Sequence, residues 1–464
     1  MTGRGAGKGK QMSEPADVVV VGMGPGGEEL AGRLAEAGLD VVGIEGRLLG
    51  GECPYWGCVP SKMMLRAAGL LAEARRVPNM AGEVSVTADW GPVARRMREA
   101  TDDWDDRRAV ERFESKGGRF VRGWGRLEGP GRVTAAGREF EARRAVVVNC
   151  GTQPWAPPVP GLAETGFWTN RDAIETEHVP RSLLVLGGGA VGVELGQVFA
   201  RFGSDVTIVE TAPQLLAAEE PESAAVLTDA LEADGVEVKT GVEVTGAGRG
   251  SNGVWLELSA GRTRECEQLL VATGRRADLS ALGVANVGLD ERARFIEVDE
   301  HMRAAPGLWA VGDVTGAGAF THVSMYQAGI ARADILGEDV PGADYRALPR
   351  VTFTDPEVAS VGLSEAAARA RGISVRVGTA QVPSSARGWI HKVGNAGLIK
   401  LVEDACSGLL VGASSVGPSG GEVLGLLELA VQARVPTTEL RRLIFAYPTF
   451  TRTIEAALVD LLGY

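Results

Sequence analysis

Residues 17–27 read DVVVVGMGPGG, an apolar run that leads into a turn rich in glycine. Apolar residues at helical spacing follow the turn and predict a helix that ends at Gly38. The next apolar run, residues 39–44, ends at Glu45. This order of strand, glycine turn, helix, strand and acid predicts a dinucleotide-binding unit. The glycines let a pyrophosphate approach the helix N-terminus, and the acid binds ribose hydroxyls.

The same pattern occurs a second time. Residues 182–186 form an apolar run, GGGAVG follows at 187–192, and a helical pattern extends to Gly203. The next strand, residues 205–209, ends at Glu210. For either turn alone, the alternative is a structural glycine turn without a ligand. Because the whole pattern recurs, we expect two bound dinucleotides.

The rest of the chain adds strands and a domain of another kind. A Pro-rich segment, Pro154 to Gly161, is typical of a linker. Beyond about Pro341 no dinucleotide motif occurs, and strands and helices are mixed. The predicted strands there are 397–402 and 409–414, and the predicted helices are 421–433 and 437–443. The predicted fold class is α/β, with two Rossmann-like dinucleotide-binding domains and a C-terminal α+β domain.

Composition excludes several classes of function. A chain of 464 residues is too long for one compact core, so several domains are expected. A net charge of −12 gives no basic surface for nucleic acid or an anionic membrane. No apolar run approaches the roughly 20 residues of a membrane span. Five cysteines are too few, and odd in number, for a disulfide framework. We expect a cytoplasmic protein whose Gly- and Lys-rich residues 1–15 form a disordered tail or lie upstream of an alternative start at Met12.

Two cysteines, Cys53 and Cys58, lie in the segment GGECPYWGCVPSK at 50–62. On an ideal helix their Cα atoms would be about 8 Å apart, whereas a disulfide tolerates about 7 Å. A bond between them therefore requires a distorted first turn, which Pro54 and Gly57 permit. The positive end of a helix dipole favours the thiolate form. Zinc is the alternative, but no further His or Cys pair has ligand spacing, so no metal is expected.

The two glycine-rich units, the Cys-x4-Cys-x-Pro-Ser-Lys segment and Val311-Gly312-Asp313 together resemble the pyridine nucleotide–disulfide oxidoreductases. This group includes dihydrolipoamide dehydrogenase, glutathione reductase and mercuric reductase. The resemblance covers residues 16–464 and implies a homodimer that uses FAD and NAD(P)H. It implies that electrons pass through a Cys53–Cys58 disulfide to a small-molecule disulfide. The implied domains are FAD-binding, 16–155 and 276–342, NAD(P)-binding, 156–275, and C-terminal dimerisation, 343–464.

The resemblance also implies roles for individual residues. Cys58 matches the charge-transfer thiol beside the flavin, and Cys53 matches the interchange thiol that meets substrate. Lys62 and Glu194 match a catalytic ion pair beside the flavin. The residues that match FAD contacts are Gly22, Gly24, Gly27, Glu45, Lys62, Gly125, Gly151, Asp313, Thr321 and His322. Those that match nicotinamide-dinucleotide contacts are Gly187, Gly189, Gly192, Glu210 and Gly274.

The expected nicotinamide cofactor is NADH rather than NADPH. The carboxylate of Glu210 would repel a 2′-phosphate. The residues that follow it, Thr211 to Gln214, include no Arg or Lys to bind one.

The C-terminal motif departs from the family pattern. The family's His-Pro-Thr supplies an acid–base His for the interchange thiol across the dimer, oriented by a Glu. Here Tyr447 stands at the His position of the catalytic set, and Arg452 stands at the Glu position. A tyrosine has an ordinary pKa of about 10 against about 6.5 for histidine, so it is a poor proton shuttle at neutral pH.

Three alternative functions follow from this departure. A reductase of quinones or other small electrophiles needs no acid–base for a thiol. Mercuric reductases also carry a Tyr there, but with a C-terminal cysteine pair that residues 461–464 do not contain. A redox-sensing flavoprotein with little turnover is the third.

Three residues around the cysteines also depart from the family. Glu52 replaces a usual Thr, and its negative charge is predicted to raise the thiol pKa values. Tyr55 and Trp56 either form an aromatic lip for a planar substrate or pack against a neighbouring domain, and the sequence leaves both interpretations open.

Overall fold

The computed structural model describes residues 13–251, 253–259 and 261–463. Its strands are, in chain order, β1 (Glu14–Val21), β2 (Val41–Glu45), β3 (Arg119–Arg122), β4 (Arg126–Gly129), β5 (Arg132–Ala135), β6 (Arg138–Val148), β7 (Gln153–Pro154), β8 (Ser182–Leu186), β9 (Asp205–Val209), β10 (Glu237–Lys239), β11 (Val244–Gly250), β12 (Gly253–Leu258), β13 (Arg262–Cys266), β14 (Gln268–Val271), β15 (Arg275–Arg276), β16 (Arg303–Ala305), β17 (Leu308–Ala310), β18 (Pro349–Thr352), β19 (Glu357–Gly362), β20 (Val375–Gln381), β21 (Leu398–Asp404) and β22 (Leu409–Gly417). Its α-helices are α1 (Pro25–Glu36), α2 (Glu52–Tyr55), α3 (Cys58–Arg76), α4 (Gly91–Ala100), α5 (Arg107–Ser115), α6 (Asn170–Glu175), α7 (Ala190–Arg201), α8 (Pro221–Ala233), α9 (Leu279–Leu282), α10 (Thr321–Leu336), α11 (Glu365–Ala370), α12 (Ala386–His391), α13 (Gly420–Gln432), α14 (Thr437–Leu440) and α15 (Thr453–Leu462).

The chain divides into two compact units. Unit 1 takes the chain up to Val59, together with Arg98–Gln153 and Arg275–Ala343. Unit 2 takes Pro60–Met97, Pro154–Gly274 and the chain from Asp344 onward. The breaks near residues 154, 275 and 344 lie within two residues of the expected domain boundaries. The segment 60–97 belongs to unit 2, although the sequence placed it in the first part of the FAD-binding domain.

The main sheet of unit 1 has the strand order β16-β17-β6-β1-β2-β3. The strands β17, β6, β1, β2 and β3 pair in parallel, while β4 and β5 form an antiparallel extension on β6. Along β1 the apolar side chains alternate between two cores. Val18 and Val20 pack with Leu30 of α1, whereas Val19 and Val21 pack on the opposite face. Burial on both faces is why the central strand is a continuous run of valines.

Strand β1 begins inside the segment that was expected to be a disordered tail. Glu14 pairs with Phe140 of β6, and both of its carboxylate oxygens accept 2.7 Å hydrogen bonds from Arg138. These bonds extend the strand before the apolar run, so the expected boundary at residue 15 is wrong by two residues. Residues 1–12 lie outside the described residues.

Unit 2 contains a parallel sheet and an antiparallel one. The parallel sheet has the order β10-β9-β8-β14, and α7 follows β8 as the crossover to β9. The antiparallel sheet has the order β18-β19-β22-β21-β20. Its core joins Leu401 of β21 to Leu427 of α13 and Ile454 of α15. This is the predicted α+β domain. Among the described residues, no helix has both the length and the hydropathy to cross a bilayer.

Candidate active site

The two cysteines of the 50–62 segment lie on either side of a break between helices. Helix α2 ends at Tyr55 and α3 begins at Cys58, so the distorted turn that a Cys53–Cys58 bond requires is present. No disulfide joins the two sulfurs in this structure. A hydrogen bond with Cys58, together with burial, raises the pKa of Cys53. The Cys58 Sγ lies 3.3 Å from the Thr321 Oγ1 at the start of α10.

Lys62 follows Cys58 by one turn of α3, and its ammonium group is held by a buried carboxylate. The Lys62 Nζ lies 2.7 Å from the Glu194 Oε2 of α7. The other oxygen of Glu194 accepts a 2.8 Å hydrogen bond from the Phe353 backbone N–H, and the Lys62 Nζ lies 4.9 Å above the Phe353 ring. Because Glu194 is only 4% exposed, it holds Lys62 in one position. The structure therefore brings together the predicted ion pair.

Several glycines of the first turn, at the end of β1, are packed too closely for a side chain at their positions. Gly22 has φ +93°, and a Cβ on it would overlap the Asn149 backbone. A Cβ on Gly27 would overlap the Gly22 carbonyl oxygen. Gly24 is the N-cap of α1 and has no side chain to cover the helix N-terminus. A glycine-capped helix start of this kind fits a pyrophosphate.

The second turn, between β8 and α7, repeats this arrangement. Gly187 has φ +111°, and a Cβ on it would lie 2.5 Å from the Ala272 oxygen. A Cβ on Gly192 would overlap the Gly187 oxygen. Gly189 caps α7, and a Cβ on it would meet nothing within 4 Å. The helix start at Gly189 therefore has room for a ligand.

The two terminal acids make equivalent hydrogen bonds. Glu45 accepts from the N–H groups of Met23 at 3.0 Å and Arg47 at 2.7 Å. Glu210 accepts from the N–H groups of Gly188 at 2.6 Å and Ala212 at 2.7 Å. In each unit the carboxylate is tied to the residue after the first motif glycine. Burial raises the pKa of Glu45, which these N–H donors oppose. A glycine-capped helix start beside a fixed carboxylate, present at both turns, fits the pyrophosphate and ribose of a dinucleotide.

The remaining predicted cofactor residues are placed as follows. Asp313 accepts a 3.0 Å hydrogen bond from the Thr152 hydroxyl, and burial raises the pKa of Asp313. A Cβ on Gly125 would lie 2.7 Å from a Val21 methyl group. Gly151 at φ +61° and Gly274 at φ +120° have open space where a Cβ would stand, and the ring of His322 stacks on Phe320.

Asn149 was not identified from the sequence, although it connects the first glycine turn to two later segments of the chain. The Asn149 Oδ1 accepts a 2.8 Å hydrogen bond from Gly27, and its Nδ2 donates to the Val311 oxygen at 2.8 Å and to the Ser324 Oγ at 3.2 Å. A polar residue at the carboxyl end of an apolar strand was the available signal. Arg275 was also missed, although it contacts both Thr152 and Glu52.

The aromatic pair between the cysteines does not form a lip. Tyr55 is 7% exposed and Trp56 is 8% exposed, and their rings lie 5.8 Å apart. The Tyr55 carbonyl also accepts a 3.3 Å hydrogen bond from the Trp104 indole. The structure thus favours the packing interpretation of these two residues.

Tyr447, at the position of the missing histidine, is 70% exposed. The Arg452 guanidinium lies 5.4 Å from the centre of its ring and forms a 2.8 Å ion pair with Glu455. Arg452 therefore contacts the face of the ring, and its guanidinium has no acceptor to offer a hydroxyl, as the carboxylate of a Glu would.

The comparisons with known proteins agree with this geometry. The model of the pyridine nucleotide-disulphide oxidoreductases matches residues 16–328, and the model of their dimerisation domain matches residues 348–458. The chain belongs to this family. The resemblance and the fold class predicted from the sequence are both confirmed.

Relatives and solved structures match nearly the whole chain. Dihydrolipoyl dehydrogenase from Thermus scotoductus is 34% identical over 95% of this chain and 96% of its own. Mercuric reductase from Bacillus cereus is 28% identical over 96% of this chain and 71% of its own. The HOCl-induced flavoprotein disulfide reductase RclA from Escherichia coli has a TM-score of 0.83 at 27% identity, covering 96% of this chain and 99% of its own. LpdA from Mycobacterium tuberculosis has a TM-score of 0.83 at 26% identity, with the same coverage of both chains.

As a member of this family, the protein is an FAD-dependent oxidoreductase that uses NAD(P)H and a disulfide redox centre. Its cofactors are FAD and a nicotinamide dinucleotide, and its C-terminal domain is a dimerisation domain. In the described part of the chain, no group of three or more His, Cys, Asp or Glu is placed to hold a metal ion.

Proposed function

We propose that this oxidoreductase moves two electrons from NADH to a small-molecule disulfide through Cys53 and Cys58. The observation that carries the proposal is the break between α2 and α3, which holds the two thiols within hydrogen-bond reach of each other. When bound, FAD supplies the two-electron relay between the nicotinamide and this pair. Gly22, Gly24, Gly27, Glu45 and Asp313 would hold FAD, and Gly187, Gly189, Gly192 and Glu210 would hold NADH.

Each thiol has a distinct task in this proposal. Reduction breaks the Cys53–Cys58 bond with two electrons and one proton, which leaves Cys53 as a thiol and Cys58 as a thiolate; the second proton is taken up when the substrate thiols are released. Cys58 is the thiolate beside the cofactor, because it begins a 19-residue helix and contacts the Thr321 hydroxyl. Cys53 attacks the substrate disulfide, and one substrate thiol leaves with a proton. Cys58 then attacks Cys53 of the mixed disulfide, which re-forms the Cys53–Cys58 bond and releases the second substrate thiol with a proton.

The need to remove the proton from the Cys53 thiol limits the rate of this reaction. Cys53 must lose its proton to attack, and its hydrogen bond with Cys58 and its burial raise its pKa. The thiolate is the nucleophile, so a raised pKa lowers the reactive fraction at neutral pH. Tyr447 is a poor substitute for the acid–base His. We therefore propose an activated disulfide, one with a good leaving thiol, as the acceptor class.

A quinone-like acceptor is the second candidate. The observation that favours it is the contact of Arg452 with the Tyr447 ring, in place of a His–Glu dyad. Reduction of a quinone by two electrons and two protons requires no thiol exchange, so this reaction does not depend on Cys53.

One assay panel separates the candidates. NADH oxidation is measured with lipoamide, glutathione disulfide, an aromatic disulfide of low thiol pKa and a naphthoquinone, for the wild type and C53S. We expect the aromatic disulfide to be the fastest disulfide and C53S to abolish its turnover. Naphthoquinone turnover that exceeds all disulfide turnover and survives in C53S favours the second candidate. Negligible turnover with every acceptor indicates a redox sensor instead.

We also propose a cytoplasmic homodimer. The support is the acidic net charge of −12, the match to the dimerisation domain, and a cysteine content typical of a reducing compartment.

A further inference from the structure

Four side chains of unit 1 form a connected polar network that begins at Glu52, the residue before Cys53. The Glu52 carboxylate lies 3.4 Å from an Arg275 guanidinium nitrogen. Arg275 donates to the Thr152 hydroxyl at 3.0 Å and to the Thr152 carbonyl at 2.7 Å. The same hydroxyl donates to Asp313 at 3.0 Å. The Glu52 and Arg275 side chains are 28% and 23% exposed, so water screens their interaction only in part.

These contacts connect the residue before Cys53 to Asp313, one of the predicted FAD-binding residues of unit 1. Glu52 is the first residue of α2 and directly precedes Cys53. Asp313 belongs to the residues that match FAD contacts. Burial raises the pKa of Asp313, Arg275 opposes that rise, and Glu52 adds to it. Two negative charges therefore share one arginine.

We propose that Glu52 is a positioning residue that sets the reduction potential of the Cys53–Cys58 pair through Arg275. The carboxylate, on the residue that precedes Cys53, neutralises part of the positive charge of Arg275. Without it, Arg275 would stabilise thiolate more strongly, and the dithiol would be favoured over the disulfide. Glu52 thus keeps the pair strongly reducing, which suits transfer of electrons to a disulfide acceptor. The inference rests on the proposed role of the two cysteines.

The structure changes the simpler expectation for Glu52. A lone carboxylate before Cys53 would raise the thiol pKa values by direct repulsion, but this one is paired with Arg275. Two other titratable groups interact with this segment: Cys58, which hydrogen-bonds with Cys53, and Asp313, whose pKa Glu52 raises. A substitution at Glu52 leaves Cys58 in place but removes the contribution of Glu52 to the raised pKa of Asp313.

The test uses the FAD-loaded protein and compares E52Q, E52D, R275Q and the double variant E52Q/R275Q. The thiols are equilibrated in dithiothreitol redox buffers and counted by alkylation. We expect E52Q to reach half reduction at about a tenfold lower ratio of reduced to oxidised dithiothreitol, the equivalent of one unit of pKa shift. E52D keeps the charge and should stay within about twofold of the wild type. In R275Q, adding E52Q should change the ratio by less than about twofold.

A second readout is the pH dependence of the long-wavelength absorbance that reports the thiolate. Its midpoint should fall by about one pH unit in E52Q and should not move in E52D.

Several results would overturn the inference. An unchanged ratio in a folded, FAD-loaded E52Q does so, and an equal shift in E52D indicates packing rather than charge. A full effect of E52Q in the R275Q background shows that Arg275 is not the route. If R275Q does not fold, R275M, which also removes the positive charge, replaces it, and the same criterion applies. Failure of the proposed function is distinct, because it would appear in the acceptor panel as turnover that survives in C53S, whereas the dithiothreitol ratio does not depend on the acceptor.

Discussion

At the scale of single residues, Cys58 differs from Cys53 in its place on the backbone. Cys58 begins α3 and contacts Thr321, whereas the hydrogen bond with Cys58 and burial raise the pKa of Cys53. The helix dipole stabilises an anion at the first position. The two sulfurs are therefore not interchangeable.

This asymmetry predicts different spectra for two serine variants. C58S should lack the long-wavelength thiolate absorbance at every degree of NADH reduction. C53S should show it before any NADH is added, because Cys58 can then form no disulfide and is free to ionise. Absorbance titrations of both variants at neutral pH are the measurement. A C58S protein that keeps the absorbance would contradict the assignment.

A second prediction at this scale concerns Tyr447. The double variant Y447H/R452E should raise lipoamide turnover by at least about tenfold, since a positioned acid–base contributes about 10²- to 10⁴-fold. The rate of flavin reduction by NADH, measured by stopped flow, should not change. Y447H alone is the matched control and should gain less, because Arg452 offers no carboxylate to orient the imidazole. Fast lipoamide turnover by the wild type would show that the lost dyad does not matter.

At the scale of the elements, two glycines of the turn between β8 and α7 are predicted to have different roles: one in folding and one in ligand binding. A methyl group on Gly192 would overlap the Gly187 oxygen, whereas one on Gly189 would meet nothing within 4 Å. G192A should lower the Tm, because overpacking of this kind costs about 1–3 kcal/mol. G189A should keep the Tm and weaken NADH binding by about tenfold or more, because its methyl group stands at the open helix start. Thermal unfolding and NADH titration distinguish the two; a normal Tm in G192A would refute the packing argument.

The end of β9 predicts the choice of nicotinamide cofactor. Glu210 is tied to Gly188 and Ala212, and the nearby cation Lys239 forms a 2.7 Å ion pair with Glu237. A 2′-phosphate would meet a carboxylate there rather than a cation. The kcat/KM for NADH should exceed that for NADPH by about 100-fold, and the variant E210A/T211R should narrow this ratio. Similar wild-type values for the two cofactors would contradict the prediction.

The elements also show what the sequence could and could not predict. The periodicity of apolar residues and the spacing of glycines predicted β1, α1, β8 and α7, because each of these elements is built from residues adjacent in the chain. The break between α2 and α3 followed from Pro54 and Gly57. The bonds of Asn149 could not be predicted, because its partners Gly27 and Ser324 lie 122 and 175 positions away. The burial of Tyr55 and Trp56 depends on such long-range packing too.

At the scale of the whole molecule, the C-terminal domain has an apolar surface that a monomer would leave in water. Ile444 is fully exposed, and Leu443 and Tyr447 are 43% and 70% exposed. We expect I444D to shift the homodimer toward monomer and to lose disulfide turnover while it keeps bound FAD. Analytical ultracentrifugation measures the shift, and L70D, at another exposed leucine that is 52% exposed, is the control. A dimeric I444D would place the interface elsewhere.

The discontinuity of unit 1 has a consequence for biosynthesis on the ribosome. The unit is completed only by residues 275–343, and the Asn149 side chain finds its partner Ser324 only in that last segment. At about 5–20 residues per second, the earlier segments emerge on the order of ten seconds before their last partner. During that interval Asn149, at the end of β6, lacks its contact with Ser324, so the predicted FAD site is incomplete. Cofactor loading should therefore follow, rather than accompany, translation of the middle of the chain.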